Sequence, residues 1–322
     1  MQPPPSLPPK NGPARGYFFA CGSPTAASRR PPATLLECPA SPIKGGRTKG
    51  EFQLANRSYL YSLGNRPVAY ADRPETISGL SEWPYDVPFM FRLLMSGDPQ
   101  LCASLVSDGF DGDEPGSKTR LHAISSSFDT GFERVRRFID IVRALLLAAT
   151  QTDPQPAAEA QPQSLLGRFK ELISPGRKAP ASAAPPSAPV QLPIWLDETI
   201  AFLEANRDRY LLLETVELDT MSEETEDALR TCVEQEIARC LHAGAALDAL
   251  PASTAEAGRL LKKAIAQKCP APLDAFFGLR LDDDCDSTRN GATKHPLGLQ
   301  WSDVLYFDLW NRAEFEAHRD ER

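Results

Sequence analysis

Apolar and polar positions first fall into a regular order at Arg57 to Leu63, where Tyr59, Tyr61 and Leu63 share one side and Leu60 the other. Gly64-Asn65 ends the run, and the alternation predicts a strand. Pro84 and Pro88 precede Phe89 to Met95, an apolar stretch stopped near Gly97 that predicts a short helix. Asp98-Pro99 has the form of an N-cap followed by proline at the first helical position, so a second short helix is expected through Leu101 and Leu105. Asp108 to Lys118 is an acidic, glycine-containing loop, and Arg120 to Ser126 predicts a second strand. Thr130-x-x-Glu133 matches a capping box. It opens a helix whose Phe132, Val135, Phe138, Ile139, Val142, Leu145 and Leu146 form one stripe, with Arg134, Arg136, Arg137 and Asp140 mostly opposite.

The second half repeats this mixture without a fixed period, which argues against a solenoid. Pro193 at a first helical position starts a helix with Trp195, Leu196, Ile200 and Leu203 on one face. Tyr210 to Leu218 predicts a strand with Tyr210, Leu212, Glu214, Val216 and Leu218 on one side, a helical reading of the run remaining open. Thr220 or Ser222 is the expected cap of the longest helix, whose stripe is Leu229, Val233, Ile237, Cys240, Leu241 and Gly244. Thr254 to Lys268 predicts another helix, Phe276 to Leu281 and Val304 to Trp310 are candidate strands around a polar loop with Asn290-Gly291, and Arg312 to Arg322 is a charged helical end. Strands and helices in irregular alternation predict an α+β fold with a mixed or antiparallel sheet packed by amphipathic helices.

Proline divides the chain. Of its 30 prolines, 11 lie in residues 1–50 and 9 in 151–193, stretches that cannot hold a regular core. The expected organisation is a Pro-rich disordered tail over 1–53, a first half of the core over 54–150, a disordered insertion over 151–193, and a second half over 194–322. Within the insertion Leu165, Leu166, Phe169, Leu172 and Ile173 make an apolar island with the spacing of a short helix, marginal in water by itself. Lys49-Gly50-Glu51 can be encoded by a purine-rich ribosome-binding sequence just ahead of Leu54, a residue that an initiating TTG can encode, so residues 1–53 are read as translated upstream sequence.

Charge then narrows the partners. The tail carries seven Lys/Arg against two Glu and the insertion four against three, so a chain of net charge −8 leaves −14 on the two core halves. That disfavours nucleic acid, which recruits proteins by counterion release to Lys and Arg, and it would attract a basic protein. The same excess of carboxylate also serves solubility. No run approaches the roughly 18 apolar residues of a membrane span. Tyr17-Phe18-Phe19-Ala20-Cys21 lacks the apolar segment a lipoprotein signal would need before it. The seven cysteines contain no C-x-x-C and follow no secretory signal, so reduced thiols in a cytoplasmic setting are expected.

Candidate chemistry is sparse. Glu214 projects into an otherwise apolar row, where burial would raise its pKa unless a cation pairs with it. It is the candidate acid or base of an enzymatic reading, a small hydrolase or transferase, with His122 as the histidine to be brought beside it; an ion pair with an arginine is the structural alternative. Ser81 to Asp86 sets Trp83 and Tyr85 among carboxylates, and Glu82, Trp83, Tyr85 and Asp86 are the candidate residues for recognising a basic surface. In the competing reading Trp83 and Tyr85 close the core while Asp86 caps the next helix. Asp282, Asp283, Asp284 and Asp286 fail the calcium-loop pattern, which needs Gly where Ser287 stands and Glu where Thr293 stands. Asp108, Asp111, Asp113 and Glu114 match no ligand set. Cys232 and Cys240 lie about 12 Å apart along a straight helix, too far to share one zinc with His242. No nucleotide, hydrolase or zinc-protease motif occurs, and no metal or cofactor is expected.

Ala55-Asn56-Arg57-Ser58-Tyr59-Leu60-Tyr61-Ser62, with Ile77 to Trp83 and Tyr210 to Glu214, resembles an uncharacterised family of bacterial proteins that begin Met-Ala-Asn-Arg-Ser-Tyr-Leu-Tyr. The resemblance runs from residue 54 to about 250 and implies a start at Leu54, with the tail and the Pro-rich insertion outside the shared fold. It implies no activity and no functional residues. The expectation for function is a non-catalytic protein-interaction module, of immunity or regulatory type, with an acidic surface.

Overall fold

The leucine run after the insertion becomes the centre of the sheet. In the computed structural model the described residues are 56–110, 113, 118–151, 189–288 and 294–320. The strands are β1 (Arg57–Leu63), β2 (Ile77–Pro84), β3 (Gln100–Ala103), β4 (His122–Ser127) and β5 (Tyr210–Glu214), all antiparallel in the order β2-β1-β5-β4-β3. Tyr59 faces Glu214 across β1–β5, and Ile124 faces Leu213 across β4–β5. A strand from the second half is thus wedged between two from the first, and the fold is α+β. Among the described residues the helices are α1 (Phe89–Met95), α2 (Phe128–Gln151), α3 (Leu192–Ala205), a single turn α4 (Val216–Asp219), α5 (Glu226–Asp248), α6 (Thr254–Ala266) and α7 (Arg312–Asp320).

Side chains alternate across a strand, so the sheet has two differently covered faces. Leu60, Ile124, Leu211 and Leu213 point to the helices and join Phe91, Phe138, Leu196, Val233 and Leu261 in one apolar cluster. Phe89, Phe138 and Phe276 form a triangle of rings: Phe138 stacks on Phe276 at 6.4 Å between centroids and meets Phe89 tilted at 5.2 Å, and Phe89 and Phe276 are themselves 5.7 Å apart. The α1–α2 crossing is close because Gly131 has no side chain: a Cβ there would lie 1.8 Å from the Leu94 carbonyl oxygen. On the opposite face Tyr59, Tyr61, Leu63 and Leu212 pack under Leu305, Phe307 and Leu309 of the C-terminal segment.

Several expectations give way to tertiary contacts. Asp98-Pro99 opens no helix: residues 100–103 pair with β4, while the Asp98 carboxylate is taken by Arg66 at 2.6 Å and its N–H by Ser126 Oγ at 2.9 Å. The helix expected from Thr130 starts two residues earlier at Phe128, directly out of β4. Likewise α3 begins at Leu192, one residue before Pro193. The strand expected to reach Leu218 stops at Glu214, and Thr215 Oγ1 donates to Asp219 Oδ2 at 2.7 Å to close the α4 turn. Thr220 is used in that turn, donating to the Val216 carbonyl, so Thr225 caps α5 by accepting from the Ala228 N–H. Phe276 to Leu281 is no strand; Leu273–Phe276 forms a 3-10 turn, and Gly278 follows at φ +84°. Residues 304–310 alternate as expected, Leu305, Phe307 and Leu309 inward and Val304 and Tyr306 outward, but they join no ladder. Their backbone is held by side chains instead: Tyr306 N–H donates to Glu82 Oε2 at 2.6 Å and Phe307 O accepts from Tyr61 Oη at 2.7 Å. The tail, the position of Leu54, the apolar island around Phe169 and the Asn290-Gly291 loop lie outside the described residues. No described helix is long and apolar enough to cross a membrane.

Candidate functional site

Glu214 is the last residue of the central strand, and alternation aims it away from the helices, into the face covered by the C-terminal segment. It is 1 % exposed. Burial pushes its carboxyl up to about 7, against the opposing pull of the Leu105 N–H at 2.6 Å, the Ser104 hydroxyl at 2.8 Å and the charge of Arg73. No arginine pairs with it directly among the described residues. His122 shares its face with Ile124, which packs with Leu213 among the helices, so Glu214 and His122 sit on opposite faces of the sheet. The structure does not bring the two together.

The segment 82–86 is also divided. Glu82 pairs with Arg57 and accepts from the Tyr306 N–H, which ties it to the C-terminal segment. Trp83 is 3 % exposed, within the helix-side core. Tyr85 is 70 % exposed and takes φ +61°, an uncommon backbone for a bulky residue, with its N–H given to the Asn56 carbonyl. Asp86 is no helix cap, Pro88 occupying that position; its Oδ1 accepts from the Val87 N–H at 2.7 Å and from Arg92 at 3.2 Å.

Tyr85 and Asp86 therefore stand at the edge of a cleft that the other two do not reach. The cleft has a part of about 580 Å³ over α4 and α5 and a smaller part of about 250 Å³ toward the 3-10 turn, which share Asp86, Val87, Arg92 and Arg239. At its floor Glu236, 4 % exposed, is held by Arg92 Nε at 2.7 Å and by Arg239 Nη1 at 2.7 Å. Asp219 faces the same space, and burial together with the Glu236 charge pushes it up to about 6, although the Thr215 hydroxyl and Arg239 pull it down. In the smaller part His242 Nε2 lies 2.9 Å from Asp274 Oδ1. The lining totals five carboxylates, Asp86, Asp219, Glu223, Glu236 and Asp274, against two guanidiniums. Both guanidiniums are already engaged with Glu236, so the surplus is negative and partly desolvated.

Glu236, Arg92 and Asp219 were not singled out by sequence. The signal existed for Glu236: with Leu229, Val233 and Cys240 it completes the buried side of α5, and an ionised group on an apolar stripe requires a partner. Asp219 was hidden by extending the strand too far. Among the described residues no three metal-ligating side chains come together in a site that could hold an ion.

A family model described as a domain of unknown function, DUF7822, matches residues 64–167. The match contains Tyr85, Asp86 and Arg92, whereas α4 and α5, which supply the other wall of the cleft, lie beyond it. No curated protein and no solved structure is significantly similar to the chain.

Proposed function

We propose that the protein is a non-catalytic interaction module, of immunity or regulatory type, whose acidic cleft over α4 and α5 docks a basic segment of a protein partner. The observation that carries this reading is the carboxylate of Asp219, which has a hydroxyl but no ion-pair partner among the described residues and is raised to about 6 in a cleft whose arginines are held by Glu236. An arriving guanidinium or ammonium group supplies the missing charge and gains a charge-assisted hydrogen bond. Tyr85, held outward at the edge, offers an aromatic face to the same cation. In this reading the two halves act as one unit, since β5 lies between β1 and β4, and the second half begins before residue 194, Leu192 being buried in the helix-side core. The five described cysteines are all free thiols, which suits a reduced, cytoplasmic setting.

The test is calorimetric titration of the full chain with a pentaarginine peptide. Binding should weaken with added salt and should strengthen as pH rises through about 6, because the bound cation draws the proton off Asp219. Asp219→Asn, which keeps an oxygen for Thr215, should weaken it about tenfold, the scale of one charge-assisted contact. Equal affinity for wild type and a combined Asp219→Asn, Glu223→Gln variant would overturn the assignment of the cleft.

A further inference from the structure

The two parts of the acidic cleft have walls of different kinds. The carboxylates Asp219 and Glu223 line the larger part and not the smaller. In the smaller part each carboxylate already has a neighbour of its own: Asp274 Oδ1 is 2.9 Å from His242 Nε2, and Asp86 Oδ1 is 3.2 Å from Arg92 Nη2. An arriving cation therefore gains most in the larger part. What the smaller part offers is rings, since Phe277, 44 % exposed, half-buried His242 and exposed His295 all line it.

One short stretch of chain gathers these rings. Asp274, within the Leu273–Phe276 turn, holds the His242 side chain of α5. Phe277 follows the turn directly and gives its N–H to the Asp274 carbonyl. Gly278 comes next at φ +84°, and a Cβ there would lie 3.2 Å from His295 Cδ2, so the third ring rests on a residue without a side chain. The space among them is about 250 Å³, and a buried cavity of about 150 Å³ is enough to hold benzene, so one ring of a ligand fits. Covering Phe277 with a second ring removes apolar surface from water, and ring pairs gain further from offset or edge-to-face contact. The helix also sets a spacing. Cys232 lines the larger part together with Asp219, and His242 lies ten residues further along α5, about 15 Å at 1.5 Å per residue. An extended segment advances about 3.3 Å per residue, so four residues cover most of that distance and the reach of the side chains covers the rest.

We infer that the basic segment of the partner carries an aromatic residue four positions from its cationic one, the cation meeting Asp219 in the larger part and the ring entering the smaller part against Phe277, His242 and His295. This rests on the acidic cleft as a docking site and adds the second feature of its ligand. Two linked contacts of different chemistry also separate the partner from the many segments that are merely basic, because a chain without the ring leaves Phe277 in water.

Peptides of identical composition separate this from charge attraction alone. In Arg-Arg-Ala-Ala-Ala-Phe the ring lies four positions from the nearer arginine, and in Arg-Arg-Phe-Ala-Ala-Ala it is adjacent. Each is titrated calorimetrically into the full chain in both chain directions, beside Arg-Arg-Ala-Ala-Ala-Ala and pentaarginine. In its better direction the spaced peptide should bind about tenfold more tightly than the adjacent one and than the peptide without a ring. Phe277→Ala, at an exposed side chain, should bring the three to equal affinity while pentaarginine binds within about twofold of wild type, which also reports that the variant is folded. Equal affinity of the spaced and adjacent peptides for wild type, with pentaarginine still bound, would overturn the aromatic contact and leave the acidic cleft standing. A tenfold preference that survives Phe277→Ala would overturn it as well. Absence of pentaarginine binding would remove the acidic cleft as a docking site, and this inference with it.

Discussion

The two faces of the sheet bury about the same kind of strand in different ways. Toward the helices, Leu60, Ile124, Leu211 and Leu213 meet aromatic and aliphatic side chains on five helices, and the interior is apolar. Toward the C-terminal segment, the same strands present Tyr59, Tyr61 and Glu214, and the cover is an irregular strap fastened by side-chain hydrogen bonds. Tyr59 Oη donates to both oxygens of Glu217 at 3.0 and 3.1 Å, and the Arg57 N–H donates to the same carboxylate at 3.1 Å. Helices satisfy their own backbone groups, so their side of the sheet can be dry. A segment without a ladder must find partners for its peptide groups elsewhere, and the opposite face supplies them as hydroxyl and carboxylate groups. The first face draws its stability from packing and the second from polar satisfaction.

The largest effect should come from breaking the packed face. Phe138→Ala removes a wholly buried ring packed against both Phe89 and Phe276 and should cost about 3–5 kcal/mol, equally at pH 5 and pH 8, because no ionisable group is involved. Urea melts at the two pH values check both the size and the flatness.

The polar face should behave in the opposite manner. Glu214 titrates near 4.5 in an unfolded chain and at about 7 when folded, so between those values the folded state keeps a proton that the unfolded chain releases. Its contribution is fully present below pH 4.5 and is lost as pH rises through about 7, and Asp219, also raised by burial, acts in the same direction. Glu214 alone accounts for about 3 kcal/mol of lost stability over this window. Glu214→Gln should be more stable than wild type at pH 8 by up to about that amount and should flatten the profile between pH 5 and 8. An unchanged slope in the variant would show that Glu214 is already ionised at pH 5 and that the polar face is better compensated than its burial indicates.

This contrast was half visible in the sequence. The packed face announces itself through repeated apolar spacing, so β1, α1, the body of α2 and most of the α5 stripe were legible, but Leu241, expected on that stripe, is exposed, and Glu236 and Ala243 are buried there instead. Glu214 was legible for the same reason, as a carboxylate in an apolar row. Its partners were not: Ser104 and Leu105 are brought to it by a β3 that local proline chemistry disguised as a helix. The acidic cleft was legible only at Tyr85 and Asp86, because its other wall depends on where β5 ends, and that is decided by one Thr215–Asp219 hydrogen bond rather than by any pattern of hydrophobicity. Polar contacts between residues more than 100 positions apart leave no periodic trace.

The smallest expected effect tests the strap itself. Tyr61 is buried, and its hydroxyl donates to the Phe307 carbonyl at 2.7 Å, so Tyr61→Phe keeps the ring and strands one acceptor. The cost should be about 1 kcal/mol, since the exposed side of the segment lets water reach the freed carbonyl. More telling than the size is the place. If the strap is held by side chains and not by a ladder, its opening is a local event that need not involve the helices, and the loss should appear as faster amide exchange over 304–310 with the exchange of α2 unchanged. Were α2 and the strap to speed up together, the two faces would form one cooperative unit, and the distinction between a packed side and a fastened side would describe chemistry without describing stability.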